Sequence, residues 1–119
     1  MPLTRASLRL YFGAFVFGPG KADLLQAIAE EGSISAAGRR MGMSYKRAWS
    51  LVEEMNAGFA TPLVESARGG AHGGGAHLTE AGHSVLAAYR ALVARVTQEG
   101  AAELAAIAAR LEGDMSERK

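Results

Sequence analysis

The sequence predicts a mainly α-helical α+β domain, and three patterns carry that prediction. Residues 32–56 form two short helical runs divided by a glycine. Two short apolar strands at 63–66 and 77–79 flank a glycine-rich stretch. Beyond residue 80, apolar side chains return every three or four positions, as on one face of a helix. In that order the elements describe a winged helix-turn-helix with an N-terminal β-hairpin and a long C-terminal helix. The expected boundaries are 1–82 for the winged domain, 83–112 for the long helix continuous with it, and 113–119 for a disordered tail.

Composition bounds the class. At 119 residues, 49 % of them hydrophobic, the chain is one domain with a real core. Charged residues make up 21 %, which fits a globular, soluble chain rather than a disordered one. It is small for an enzyme with its own cofactor domain, and no cofactor is expected. Net charge is only +1, but it is unevenly spread. Residues 1–50 carry seven basic and three acidic side chains, and residues 51–119 carry six and nine. The basic half holds the paired helices. Without cysteine there is no disulfide framework, thiolate metal site or thiol nucleophile. No apolar run approaches a membrane span, and MPLTRASLRLYFGAF lacks a secretory apolar region followed by a cleavage site. No membrane contact is expected; the expected location is cytoplasmic, at the nucleoid.

In chain order, Leu8 to Phe12 alternates as a half-buried strand does, and Phe15-Val16-Phe17 follows Gly13 as its hairpin partner. Gly18-Pro19-Gly20 closes the hairpin. Lys21 to Glu31 then places Leu24, Leu25 and Ile28 on one side of a helix that stops at Gly32. This helix supports the next two, which cannot bury their inner faces alone.

Ser35 is read as the N-cap of the first motif helix, its hydroxyl accepting from a first-turn N–H. Gly42 sits where that helix must stop, a position that favours φ > 0. Met43 returns to the core, and Ser44 caps the second helix. Ala48, Leu51, Val52 and Met55 form its inner face, opposite Lys46, Arg47 and Ser50. Two helices meeting at a glycine turn, the second opening on polar and basic residues, form a helix-turn-helix. In that motif the second helix enters the DNA major groove. Between Glu31 and Glu53 there are four basic residues and no acid, although an acid near the second N-terminus would suit the helix dipole. Trp49 is read as a core aromatic in preference to a stacking group. Tyr45 either packs or lays its hydroxyl on phosphate.

The strands at 63–66 and 77–79 and the glycine-rich tip between them make the wing. Arg68 and His72 are its polar side chains, and its glycines let main-chain N–H groups approach phosphate. The tip is not a nucleotide-binding P-loop, since no Gly-Lys-Ser/Thr follows. Zinc held by His72, His77 and His83 is disfavoured by spacings of five and six, which suit neither helix nor strand, so no metal is expected. Thr79 caps the last helix, with Glu80 favourably placed in its first turn. Leu86, Tyr89, Val93, Val96, Gly100, Leu104, Ile107 and Leu111 then follow a near-heptad seam. So long a stripe is best buried against a second copy, and a homodimer through this helix is expected. Gly100 is its weak point or a site of close approach.

These residues resemble a known family. GSISAAGRRMGMSYKRAW (32–49), EEMN (53–56), PLVE (62–65), GGAHGGG (69–75) and LTEAG (78–82) are similar to the N-terminal DNA-binding domain of the ModE molybdate-responsive transcriptional regulators, winged-helix relatives of LysR-type domains. With the LRLYF strand and the long helix, the resemblance covers about residues 5 to 112. It implies DNA binding as a dimer, with the Ser44–Asn56 helix in the major groove and Ser44, Tyr45, Lys46, Arg47 and Ser50 facing it. Full-length members continue into C-terminal molybdate-binding domains that this chain does not contain. The expectation is therefore a regulator that acts constitutively, through a partner protein, or with another effector.

The expected function is sequence-specific binding of double-stranded DNA by a non-enzymatic homodimeric regulator. Lys46 and Arg47 make base-edge or phosphate contacts. Ser33, Ser35 and Ser44 offer hydroxyls or helix N-termini to phosphate, Arg39 and Arg40 supply charge, and Arg68 reaches from the wing. Alternatives are a winged-helix protein-interaction module, a nucleoid-type non-specific DNA binder, and an oxyanion sensor or enzyme built on the glycine-rich loop. The basic, acid-free motif face argues against an interaction module, and no nucleophile–base pair supports catalysis.

Overall fold

The computed structural model of the protein describes residues 2–67 and 75–112. The element order is β1 (Leu10–Phe12), β2 (Phe15–Phe17), α1 (Pro19–Glu31), α2 (Ile34–Arg40), α3 (Tyr45–Gly58), β3 (Val64–Ala67), β4 (Gly75–Leu78), α4 (Glu80–Glu99) and α5 (Ala101–Ala108). Arg68 and His72 of the wing tip, and the tail at 113–119, lie outside the described residues.

Both strand pairs are antiparallel hairpins. Leu10 pairs with Phe17 and Phe12 with Phe15; in the wing Val64 pairs with Leu78 and Ala67 with Gly75. The first helix starts two residues earlier than the sequence suggests, because Pro19 takes the first helical position, where its missing N–H costs nothing. The wing strands are likewise shifted by one or two residues from their expected ends.

The core forms around α1. Leu24, Leu25 and Ile28 are fully buried, met by Val52 and Met55 of α3 and by Leu63. Phe17 carries the core toward the C-terminal helix, its ring edge-on to Phe59 at 6.1 Å and to Tyr89 at 5.3 Å. The Tyr89 hydroxyl donates to the Leu8 carbonyl at 2.6 Å and ties α4 to the N-terminal segment. Leu86 and Tyr89 therefore belong to the chain's own core, at 8 % and 4 % exposure, and are not available as dimer contacts. The expected seam loses its first two members for that reason.

The long helix is not continuous. α4 ends at Glu99 and α5 starts at Ala101, and Gly100 between them has a non-helical ψ of 19°. Gly100, noted in the sequence as a weak point, is where the axis breaks. Val96, Ile107 and Leu111 are exposed on either side of it.

Three of the sequence motifs meet in one corner that fixes the wing to α3. Asn56, near the end of α3, accepts from the Leu63 and Val64 amides at 2.8 and 3.1 Å and donates to the Val64 carbonyl at 3.0 Å. Thr79 donates its hydroxyl to the Pro62 carbonyl at 2.7 Å, and its N–H to the Leu63 carbonyl at 2.9 Å. The same hydroxyl accepts from the Gly82 amide and caps α4. On the other side of the wing, the Ala76 amide donates to the Gly32 carbonyl at 2.9 Å, at the junction of α1 and α2. Asn56→Ala strips partners from three partly buried backbone groups, each worth about 1–3 kcal/mol when left unpaired. Water recovers part of that loss, so denaturant titration should show a stability loss of about 2–4 kcal/mol.

Candidate nucleic-acid interface

The interface is built on α2 and α3. Ser33 is extended and its hydroxyl accepts from the Ala36 amide at 3.0 Å, so Ser33, not Ser35, is the N-cap of α2. The reason is packing: with the cap at Ser33, Ile34 takes the first helical position and is buried. Ser35 instead accepts from the Arg39 guanidinium at 2.9 Å. Gly42 has φ 72°, the left-handed conformation that turns the chain between the helices, and the Met43 amide closes the turn on the Gly38 carbonyl at 2.9 Å. Ser44 caps α3 as expected, accepting from the Arg47 amide at 3.0 Å. Its hydroxyl proton remains free to donate to an anion.

Helix geometry assigns the faces of α3. At about 100° per residue, Lys46 and Ser50 point directly away from the buried Ala48, Val52 and Met55. Arg47 lies on one flank, beside Leu51 and Glu54. Tyr45, Trp49 and Asn56 lie on the other, where Asn56 bonds the wing. Lys46, Arg47 and Ser50 are exposed, and among the described residues neither cation has a salt-bridge partner. Tyr45 is 59 % exposed while its ring meets Trp49 edge-on at 6.1 Å, so it packs and still presents its hydroxyl. Trp49 is half-buried against the core, as a core aromatic should be, and its indole N–H has no partner among the described residues.

The two arginines of α2 differ. Arg40 bonds Glu30 at 2.6 Å and Glu31 at 3.2 Å, both at the end of α1. Its guanidinium pKa is raised, first by the Glu30 hydrogen bond and then by that of Glu31. The Glu30 carboxyl is held below its usual range by hydrogen bonds from Gln26 and then Arg40. A lowered carboxylate contributes stability above its unfolded pKa and loses it as pH falls through the folded value. The absence of acids between Glu31 and Glu53 thus hides two acids that fold back onto Arg40. Arg39 keeps its charge unpaired by any carboxylate among the described residues. In DNA titrations, Arg39→Ala should reduce the slope of log affinity on log salt by about one, and Arg40→Ala by well under one.

At the wing, Glu65 and His77 face each other across the strands, 3.2 Å apart. His77 and His83 are exposed, and among the described residues no three His, Cys, Asp or Glu side chains come together as a metal site. Sequence reasoning missed Asn56 as the wing anchor. It also missed the exposed Tyr11 and Phe12 of the hairpin, at 67 % and 64 % exposure, because strict alternation would have buried one of the two.

Comparison with known proteins places this geometry. Residues 21–83 match the family model described as bacterial regulatory helix-turn-helix protein, LysR family. Over 81 residues the chain is 51 % identical to the molybdenum-pterin-binding protein MopB of Rhodobacter capsulatus, covering 68 % of this chain and 30 % of MopB. It is 43 % identical over 81 residues to the DNA-binding transcriptional dual regulator ModE of Escherichia coli K12, again 68 % of this chain and 30 % of the relative. The chain thus spans about a third of the length of these relatives. Among solved structures, the DNA-binding domain of CbnR in complex with DNA superposes with a TM-score of 0.56 at 25 % identity, covering 74 % of this chain and 95 % of that one.

Proposed function

The chain belongs to the LysR family of bacterial regulatory helix-turn-helix proteins, and we propose that it binds double-stranded DNA sequence-specifically as a transcriptional regulator of the ModE type. The observation that carries this is the outer face of α3. Lys46 and Ser50 stand at its centre, Arg47 flanks them, and no carboxylate appears until Glu53. The wing is tethered to the same helix through Asn56. A solved relative of this fold is described in complex with DNA. With α3 in the major groove, Lys46 and Ser50 reach base edges, and Arg47, Arg39 and the capping serines bind the phosphates alongside. No step of this function is enzymatic, and its place is the cytoplasm, at the nucleoid.

The active species in this reading is a homodimer. Support comes from apolar surface that the single chain leaves open. Phe12 and Leu92 line an apolar groove with Leu10, Val85 and Ala88. Val96, Ile107 and Leu111 extend exposed apolar surface along α4 and beyond the break. Exposed apolar side chains grouped in this way mark a surface for a partner. Two-fold pairing requires an inverted-repeat site.

Anisotropy titration of a labelled mixed-sequence duplex over a range of salt, with sedimentation of the complex, tests the reading. It predicts a linear fall of log affinity with log salt and two chains per duplex. Absence of binding at low salt would remove the DNA reading and leave a protein-docking module. In that event the partner would be sought on the Phe12–Leu92 groove.

A further inference from the structure

We propose that Arg9 and Arg47 together form a phosphate pocket that grips the DNA backbone on the flank of α3 opposite the wing. The inference rests on the DNA-binding reading and adds to it a contact from the N-terminal hairpin, ahead of the residues that match the helix-turn-helix family.

A cavity of about 280 Å³ opens between the approach to β1, the start of α1 and the first turns of α3. Arg9 and Arg47 line it, with Gly18, Pro19, Met43 and Leu51 among its walls. At about 30 Å³ per water, it has room for a phosphodiester group and several waters. Arg9 crosses above Gly18, where a Cβ would already touch its Cγ at 3.5 Å.

The charge balance favours an anion. No carboxylate lines the cavity. Lys21, also in the wall, is already committed: its ammonium donates to the Val16 carbonyl at 2.8 Å and pairs with Glu54 at 3.0 Å. That pairing also neutralises Glu54, the acid two turns further along the Arg47 flank. Arg9 and Arg47 have neither a hydrogen-bonded side-chain partner nor an ion pair among the described residues. Two unpaired guanidiniums lining one open cavity repel each other until an anion joins them, and the planar fork of each suits phosphate oxygens.

The anion is a backbone phosphate of the bound duplex, because Arg47 lies about 100° around α3 from Lys46. A helix seated in the major groove has a phosphate strand along each flank. Asn56 and the wing occupy one flank, and the Arg9–Arg47 pocket occupies the other.

The test uses the whole chain, titrated onto a mixed-sequence duplex and onto a duplex selected for tight binding, each over a range of salt. Arg9→Ala should weaken both by a similar factor, roughly tenfold, and reduce the salt slope by about one, because a phosphate contact carries no sequence information. Arg9→Lys should restore the slope, since it restores the charge. Arg110→Ala, a charge-matched change on the turn after α5, should leave the slope at its wild-type value. Arg9 is exposed, so thermal unfolding should be unchanged in each case. Wild-type binding with Arg9→Ala indistinguishable from it, or a loss confined to the selected duplex, overturns the pocket alone. A wild-type chain that binds no duplex overturns both the pocket and the reading beneath it.

Discussion

Lys46→Ala combined with Arg47→Ala is expected to remove about 2–6 kcal/mol of specific DNA binding, at about 1–3 kcal/mol per contact. Nothing inside the protein should compensate or confuse the result. Both side chains are exposed and unpaired among the described residues, so no partner is orphaned by their loss. Alanine is also the better helix former, and the Ser44 cap bonds the backbone of residue 47 rather than its side chain. The single variants should separate by position. Lys46 stands at the centre of the outer face, so Lys46→Ala should flatten the preference between the best site and its single-base mismatches. Arg47 lies on the flank, so Arg47→Ala should weaken every duplex alike. Competition binding against a mismatch series reads both effects. Full affinity for the selected site in the double variant would show that α3 is not the reading helix.

Gly82→Ala should be the most damaging added methyl among the glycines of the described residues. Gly82 lies in the first turn of α4, where it packs against the Leu63 main chain, and a Cβ there would overlap the Leu63 carbonyl oxygen. That carbonyl cannot move freely, because it accepts from the Thr79 amide at 2.9 Å while Asn56 holds the Leu63 amide. Relief therefore means displacing α4 or the wing corner, at about 3 kcal/mol or more. For a domain of this size that corresponds to a fall in Tm of the order of 10–20 °C. Gly20→Ala provides the contrast. A Cβ at Gly20 meets no atom within 4 Å, and the change should be neutral or stabilise by up to about 1 kcal/mol. Equal Tm values for the two variants would mean that the corner is not rigid.

Local signals in the chain suffice where one residue settles the backbone. Gly42 turns, Ser44 and Thr79 cap, and the periodicity of Leu24, Leu25, Ile28, Val52 and Met55 marks the buried faces. Errors arose where two residues fit one role locally. Ser33 and Ser35 are both good caps, and only the burial of Ile34 chooses between them. A near-heptad stripe cannot say whose core it serves: Leu86 and Tyr89 fit a dimer seam by spacing, but Phe17 and Leu8 of the same chain claim Tyr89. Charge counted along the chain weighs Arg40 and Arg39 alike, whereas Glu30 and Glu31 return to Arg40 alone across the turn at Gly32. Arg9 was beyond reach of any local rule, because Arg47, which shares its cavity, lies far along the chain.

Selection from a random-sequence duplex pool, repeated at two salt concentrations, tests sequence-specific binding itself. A dimeric regulator that reads bases through α3 should enrich an inverted repeat, with affinity for it falling steeply as salt rises. Binding that is salt-sensitive but enriches no sequence would contradict that reading, and would make the chain an architectural binder that holds phosphate without reading bases.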